Sequence, residues 1–105
     1  MKRGILTLTR ETTLEMAKTM VCGHRESDYG SPEDSFTIIA DLWSAYTGTP
    51  FTAKDVAAMM ILLKVARIAG DRATLDSWVD IAGYAACGCE ITTETAPMPE
   101  DDPDD

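Results

Sequence analysis

Hydrophobic positions recur every three to four residues in four separate stretches of this chain, and each stretch is fenced by helix-starting and helix-stopping residues. In TRETTLEMAKTMVCG, Leu14, Ala17 and Val21 form one apolar stripe, Thr12 and Glu15 have capping-box spacing, and Gly23 is a natural terminator. In SPEDSFTIIADLWSAYTG, Ser31 stands as N-cap, Pro32 takes the first helical position, acids fill the first turn and Gly48 ends the run. Phe36, Ile39, Ala40, Trp43 and then Tyr46 or Thr47 fall at helical spacing within it.

TAKDVAAMMILLKVARIAG repeats the device, with Thr52 as cap, Asp55 three residues on and Gly70 as terminator. Its middle is apolar on all sides, which predicts a central helix buried against several neighbours or used in a subunit interface as well as the core. The last stretch, TLDSWVDIAGYAACGCEI from Thr74 to Ile91, is expected to turn Leu75, Trp78, Val79, Ala82 and Ala85 or Ala86 inward. Gly83 and its alanines favour a close helix crossing, at a cost of about 1 kcal/mol for glycine over alanine.

Short connections between four such helices predict antiparallel neighbours. The expected fold is all-α: a single four-helix bundle-like domain over residues 1–95, with a short extended N-terminus around GILTLT and an acidic, disordered tail over residues 96–105. A chain of 105 residues with 45% hydrophobic side chains has room for one core and no second subdomain. Six methionines, including adjacent Met59 and Met60, read as adaptable core filler.

The formal charge of -9 is concentrated at the end of the chain. Residues Glu100 to Asp105 hold five acids, which leaves thirteen acids against nine bases, or -4, for the rest. So weakly charged a body lacks the clustered lysines and arginines that duplex nucleic acid demands, and no duplex partner is expected. No apolar run is long enough to span a bilayer, and the N-terminus MKRGILTLTRE lacks the apolar core and cleavage site of a signal peptide. The expected setting is cytoplasmic, with no membrane partner. Cys22, Cys87 and Cys89 are odd in number, and Cys87 and Cys89 have C-x-C rather than C-x-x-C spacing, so small buried hydrophobes are a better reading than zinc or a disulfide framework.

Two constellations can carry chemistry. The corner CGHRESDYGSPEDSF offers His24, Arg25, Asp28 and Tyr29 before Gly30. An arginine fork suits phosphate or carboxylate, and a tyrosine ring can stack on a base. The bland alternative pairs Arg25 with Asp28 or Glu26 and leaves the corner as a helix cap. The second constellation joins Lys64 and Arg67 on helix three to Asp76, Asp80 and Tyr84 on helix four. Asp76, Asp80 and Tyr84 are spaced four apart and share a face, as do the two cations. Two carboxylates can hold a hard divalent cation such as Mg2+, and two cations can grip a phosphate chain. Alternatively, Lys64 or Arg67 pairs with Asp80 across the helix interface and only fixes the packing register.

HRESDYGSPEDSF, IADLW, DVAAMMILLKVAR and DSWVDIAGYAACG, taken in order, resemble a family of small uncharacterised phage-encoded proteins over about Cys22 to Gly88. More remotely, LLKVAR followed by DSWVDIAGYAA is similar to the last two core helices of the MazG-like all-α nucleoside triphosphate pyrophosphohydrolases and related nucleotide-modification domains. That resemblance implies a helical homo-oligomer, Mg2+ at Asp76 or Asp80 and phosphate at Lys64 and Arg67. Those enzymes carry an E-E-x-x-E run on an earlier helix, whereas helix two here offers Glu33, Asp34 and Asp41 without that spacing, so binding is implied more strongly than hydrolysis. The expected function is therefore a phage protein that binds a nucleotide or nucleotide-derived small molecule. Arg25, Lys64 and Arg67 would meet phosphate, Tyr29 or Trp43 would stack on a base, Tyr84 would join the ligand-binding set, and Asp76 and Asp80 would hold a metal or orient the cations. The competing expectation is an interaction module that inhibits or adapts a host protein through the apolar surface of helix three.

Overall fold

The computed structural model describes residues 8–23, 30–70 and 75–93, which form four helices and no strand. They are α1 (Arg10–Cys22), α2 (Pro32–Thr47), α3 (Ala53–Ala69) and α4 (Leu75–Thr93). None is long and apolar enough to cross a membrane. The all-α class and the four-element order follow the hydrophobic pattern. The acidic tail and residues 1–7 of the expected extended N-terminus lie outside the described residues.

The caps show why the helices start and stop where they do. Ser31 Oγ accepts from the Asp34 N–H at 3.3 Å, with Pro32 following at a position whose missing N–H goes unused. Thr52 and Asp55 complete a reciprocal box, the Thr52 N–H donating to Asp55 Oδ2 at 2.8 Å and the Asp55 N–H to Thr52 Oγ1 at 3.2 Å. Gly48 closes α2 at φ 75°, a left-handed conformation that favours glycine. The first helix differs from its expected box at Thr12 and Glu15. Its N-cap is Thr9, whose Oγ1 accepts from the Thr12 N–H at 3.0 Å. A threonine precedes each candidate start, and the earlier one adds another helical turn.

α3 and α4 form an antiparallel hairpin with the most extensive helix interface in the molecule. Its register is fixed at two places. A Cβ built on Gly88 would lie 3.3 Å from Ala57 Cβ, and Lys64 meets Asp80 seven residues further along α3 and eight residues back along α4. α2 packs on both members of the hairpin, and α1 packs on α4. The core where they meet holds Phe36, Ala40, Val56, Ala57 and Cys87, with Val21, Met60 and Tyr84 packed against it. Ser44 ties the short α2–α3 connection to this core: its hydroxyl donates to the Ala40 carbonyl at 2.7 Å and accepts from the Phe51 N–H at 2.8 Å.

The inward face of α4 departs from the pattern reading. Leu75 and Trp78 are exposed, as are Ala85 and Ala86, while Val79, Gly83 and Cys87 are buried. Residues 79, 83 and 87 form a stripe of small and medium side chains along which α1 can approach closely. The anticipated tight crossing at Gly83 is present, since a Cβ there would lie 2.9 Å from Met20 Cε and 3.1 Å from Val21 Cγ1. On α1, Ala17 is buried and Val21 is half-buried, but Leu14 faces outward.

Valine at position 83 should overpack this crossing by about 1–3 kcal/mol, lowering Tm by roughly 5–15 °C in a domain of this size. Gly83→Ala should melt within about 3 °C of the parent, because a gain of about 1 kcal/mol in helix propensity offsets the displacement of the flexible Met20 terminus. Thermal denaturation followed by circular dichroism checks both. Wild-type melting of Gly83→Val would mean that α1 does not sit this close.

Candidate functional site

Of the residues the sequence nominates, Lys64, Asp80 and Tyr84 are brought together. Lys64 Nζ lies 3.0 Å from Asp80 Oδ2, with 17% and 22% of the respective side chains exposed. The ion pair spans the α3–α4 interface, the register-fixing arrangement set out above as one of two possibilities. One turn along α4 from Asp80, Tyr84 packs its ring on Phe36 with centroids 6.2 Å apart and planes inclined at 43°. Asp80 and Tyr84 also line a pocket of about 200 Å³, together with Met20, Val21 and Cys87. The floor and one wall are thus apolar, supplied by the end of α1 and the buried stripe of α4, while the carboxylate and the phenol face it from a single edge of α4.

Arg67 and Asp76 continue the same seam. Three residues beyond Lys64 on α3 and four before Asp80 on α4, they fall at similar levels of the antiparallel hairpin. Both are exposed, and neither forms an ion pair among the described residues. Among those residues, no group of three or more His, Cys, Asp or Glu side chains converges on a common point. Asp76 and Asp80 remain a two-carboxylate pair on one helix, with Asp80 already engaged by Lys64.

Trp43 belongs to a different neighbourhood. It lies two helical turns beyond Phe36 on α2, half-buried, with its ring edge-on to Phe51 at a centroid distance of 6.0 Å. That contact makes it a lid on the α2–α3 corner rather than a wall of the pocket. Arg25 and Tyr29, with His24 and Asp28, lie outside the described residues. The residues that bracket them are described: Val21 lines the pocket two residues before Gly23, and Phe36, in the second turn of α2, touches Tyr84. The sequence reading missed Met20, Val21 and Cys87 as pocket walls. The available signal was the small-residue spacing of Gly83 and Cys87, which marks where two helices come close. None of the three cysteines forms a disulfide; Cys87 is buried, and Cys22 and Cys89 are exposed.

Helical layering around one hairpin, with a half-buried ion pair beside a small pocket, makes this a small all-α protein. Residues 12–92 match the family described as a domain of unknown function, DUF6378, and the chain belongs to that family. It is similar to the Gene 55 protein of Mycobacterium phage L5, with 43% identity over 90 residues, covering 85% of this chain and 54% of the relative. It is likewise similar to the Gene 55 protein of Mycobacterium phage D29, with 43% identity over 77 residues, covering 73% of this chain and 51% of the relative. The chain therefore spans about half the length of these curated relatives. Both are phage proteins, in keeping with the phage-encoded family that the sequence resembles. No solved structure matches the chain.

The ion pair yields a direct energetic test. A double-mutant cycle with Lys64→Met and Asp80→Asn, read by urea denaturation, should return a coupling of about 1 kcal/mol, at the upper end for pairs that keep partial contact with water. A coupling under about 0.3 kcal/mol would mean that solvent, not Asp80, holds the lysine.

Proposed function

We propose that this protein binds a nucleotide or nucleotide-derived anion at the α1–α4 pocket and along the adjoining α3–α4 seam. The observation that carries this reading is the meeting of Asp80 and Tyr84 at the pocket, with Lys64 held to Asp80 by the ion pair beside it. Enclosed small-molecule sites usually measure about 300–1,000 Å³, so a pocket of about 200 Å³ receives one moiety of such a ligand and leaves the rest along the seam. Arg67 is an exposed guanidinium on that path, and Arg25, outside the described residues, is the second fork in this reading. Phosphate oxygens would compete with Asp80 for Lys64, since charge-assisted hydrogen bonds to phosphate are of the same kind as the one they replace.

Mg2+ ordinarily binds through one or two carboxylates together with substrate phosphates, so Asp76 and Asp80 fit an ion that arrives with a nucleotide better than a resident metal cage. When bound, it would neutralise phosphate charge and activate water toward a phosphoanhydride. Binding and sequestration of a signalling nucleotide require only the pocket and its cations. The likeness to MazG-like pyrophosphohydrolases supports the choice of ligand class. A second reading, a module that docks on a host protein, is favoured by the exposed Leu62, Leu63 and Val65 of α3.

A thermal-shift panel of nucleoside mono-, di- and triphosphates, with and without Mg2+, separates the two. A ligand at 100 times its Kd adds about 2.7 kcal/mol of stability, which for this size raises Tm by about 10 °C or more. Arg25→Ala and Arg67→Ala should each weaken the response at least tenfold, about 1.4 kcal/mol, while leaving the ligand-free Tm nearly unchanged. Trp43→Phe should retain the full response. No stabilisation by any nucleotide, together with a host protein recovered on the intact chain, would replace nucleotide binding with the interaction module.

A further inference from the structure

We infer that the α1–α4 pocket takes the base of the nucleotide and selects guanine through the carboxylate of Asp80, with the phosphates left outside along the α3–α4 seam. This rests on the nucleotide reading proposed above and adds which moiety enters the hollow and which base it prefers. Among the described residues that line the hollow, Asp80 is the one charged side chain; Met20, Val21 and Cys87 are apolar, and Tyr84 brings a phenol. Lys64 is neutralised by Asp80 at 3.0 Å, so the ion pair offers the hollow no net positive charge. A phosphate entering there would lose its hydration against apolar walls and meet a carboxylate, which is costly without a spare cation. A base is uncharged, with apolar faces and polar edges, and suffers neither penalty. Size agrees. A cavity of about 150 Å³ is enough for one benzene ring, so a hollow of about 200 Å³ accepts a base but not base, sugar and phosphates together.

The carboxylate sets the preference. It only accepts hydrogen bonds, and its two oxygens match two parallel donors, as they do for a guanidinium fork. Guanine alone among the common bases carries two adjacent donors on its pairing edge, a ring N–H and the exocyclic amino group beside it. Adenine and cytosine set a ring-nitrogen acceptor next to their amino group, and uracil flanks its single N–H with two carbonyls, so each of them turns a lone pair toward Asp80. A site that pairs a polar edge discriminates strongly against analogues without it, because its own polar group is then left unpaired. Guanine takes up Asp80 as phosphate takes up Lys64, so both halves of the ion pair keep a partner. The order of residues along α4 agrees with this. The pocket runs from Asp80 toward Cys87, whereas Asp76 lies about 6 Å back along the helix axis, at the end of the seam where Arg67 is exposed. Base at one end and phosphates at the other fit that run, and Asp76 is the carboxylate left for an ion that arrives with them.

Isothermal titration of the intact chain with GTP, ITP, ATP, CTP and UTP, each with Mg2+, should give GTP the tightest binding, at least tenfold over ATP, CTP and UTP, with ITP, which lacks the exocyclic amino group, in between. In Asp80→Asn the carboxamide sets a donor beside an acceptor, the complement of the adenine edge, so ATP should equal or exceed GTP. If the unpaired Lys64 unfolds that variant, the double variant Lys64→Met with Asp80→Asn removes both charges and should show the same reversal. With GTP bound to the wild type, the methyl signals of Met20 and Val21 should shift in NMR spectra and show cross-relaxation with the base protons. Equal affinity for all five nucleotides, a guanine preference that survives Asp80→Asn, or methyls that GTP leaves unmoved would overturn the base assignment while nucleotide binding stands. Binding by none of the five would remove both.

Discussion

The seam between α3 and α4 is the constraint on which the rest of the molecule depends. It is a close-packed contact at one end, where Gly88 has no side chain to hold Ala57 away, and a charged one further along, where Lys64 reaches Asp80. A half-buried ion pair of this kind adds little net stability, because desolvation consumes much of its Coulombic gain. Its effect is on register. Sliding either helix by one turn would separate two charges that are both largely withdrawn from water. With that register set, Tyr84 falls under Phe36 and Cys87 enters the core, so the position of α2 follows from that of the hairpin.

The same seam places the candidate site. Asp80 faces two ways, toward the lysine of α3 and into the hollow closed by Met20 and Val21 at the end of α1. The close approach that forms that hollow depends on Gly83, one of the two glycines of α4, the residue type of weakest helix propensity there. Local helix stability is thus given up where α1 must come near. The hollow is lined from α1 and α4.

Among the described residues, both smaller helices pack on one side of the hairpin. Protein layers normally bury apolar stripes on the faces they present, and an uncovered stripe with no charge is a common mark of an interface. The pattern of α3, apolar all around, already pointed to burial on more than one side. Its inner residues, Val56 and Ala57, are fully buried within the chain, and its outer ones, Leu62 and Val65, are left facing outward.

Local chemistry was legible directly from the chain. Ser31 with Pro32, Thr52 with Asp55, and Gly48 each act over three or four residues, and their geometry follows from side chains close in sequence. The Lys64–Asp80 pair was also among the arrangements open to those residues, since their spacing put both at the interface. What the chain could not disclose was the direction each face takes. Trp78 is the largest apolar side chain of α4 and was expected inward, yet the core side went to Val79, Gly83 and Cys87. Hydrophobicity ranks residues by the gain from burial, but the neighbour's approach distance determines which of them fit, and that distance exists only in the tertiary structure. Sequence by itself determined the four helices, the caps of α2 and α3 and the all-α class; packing decided where α1 starts, which side of each helix is core and which walls enclose the hollow.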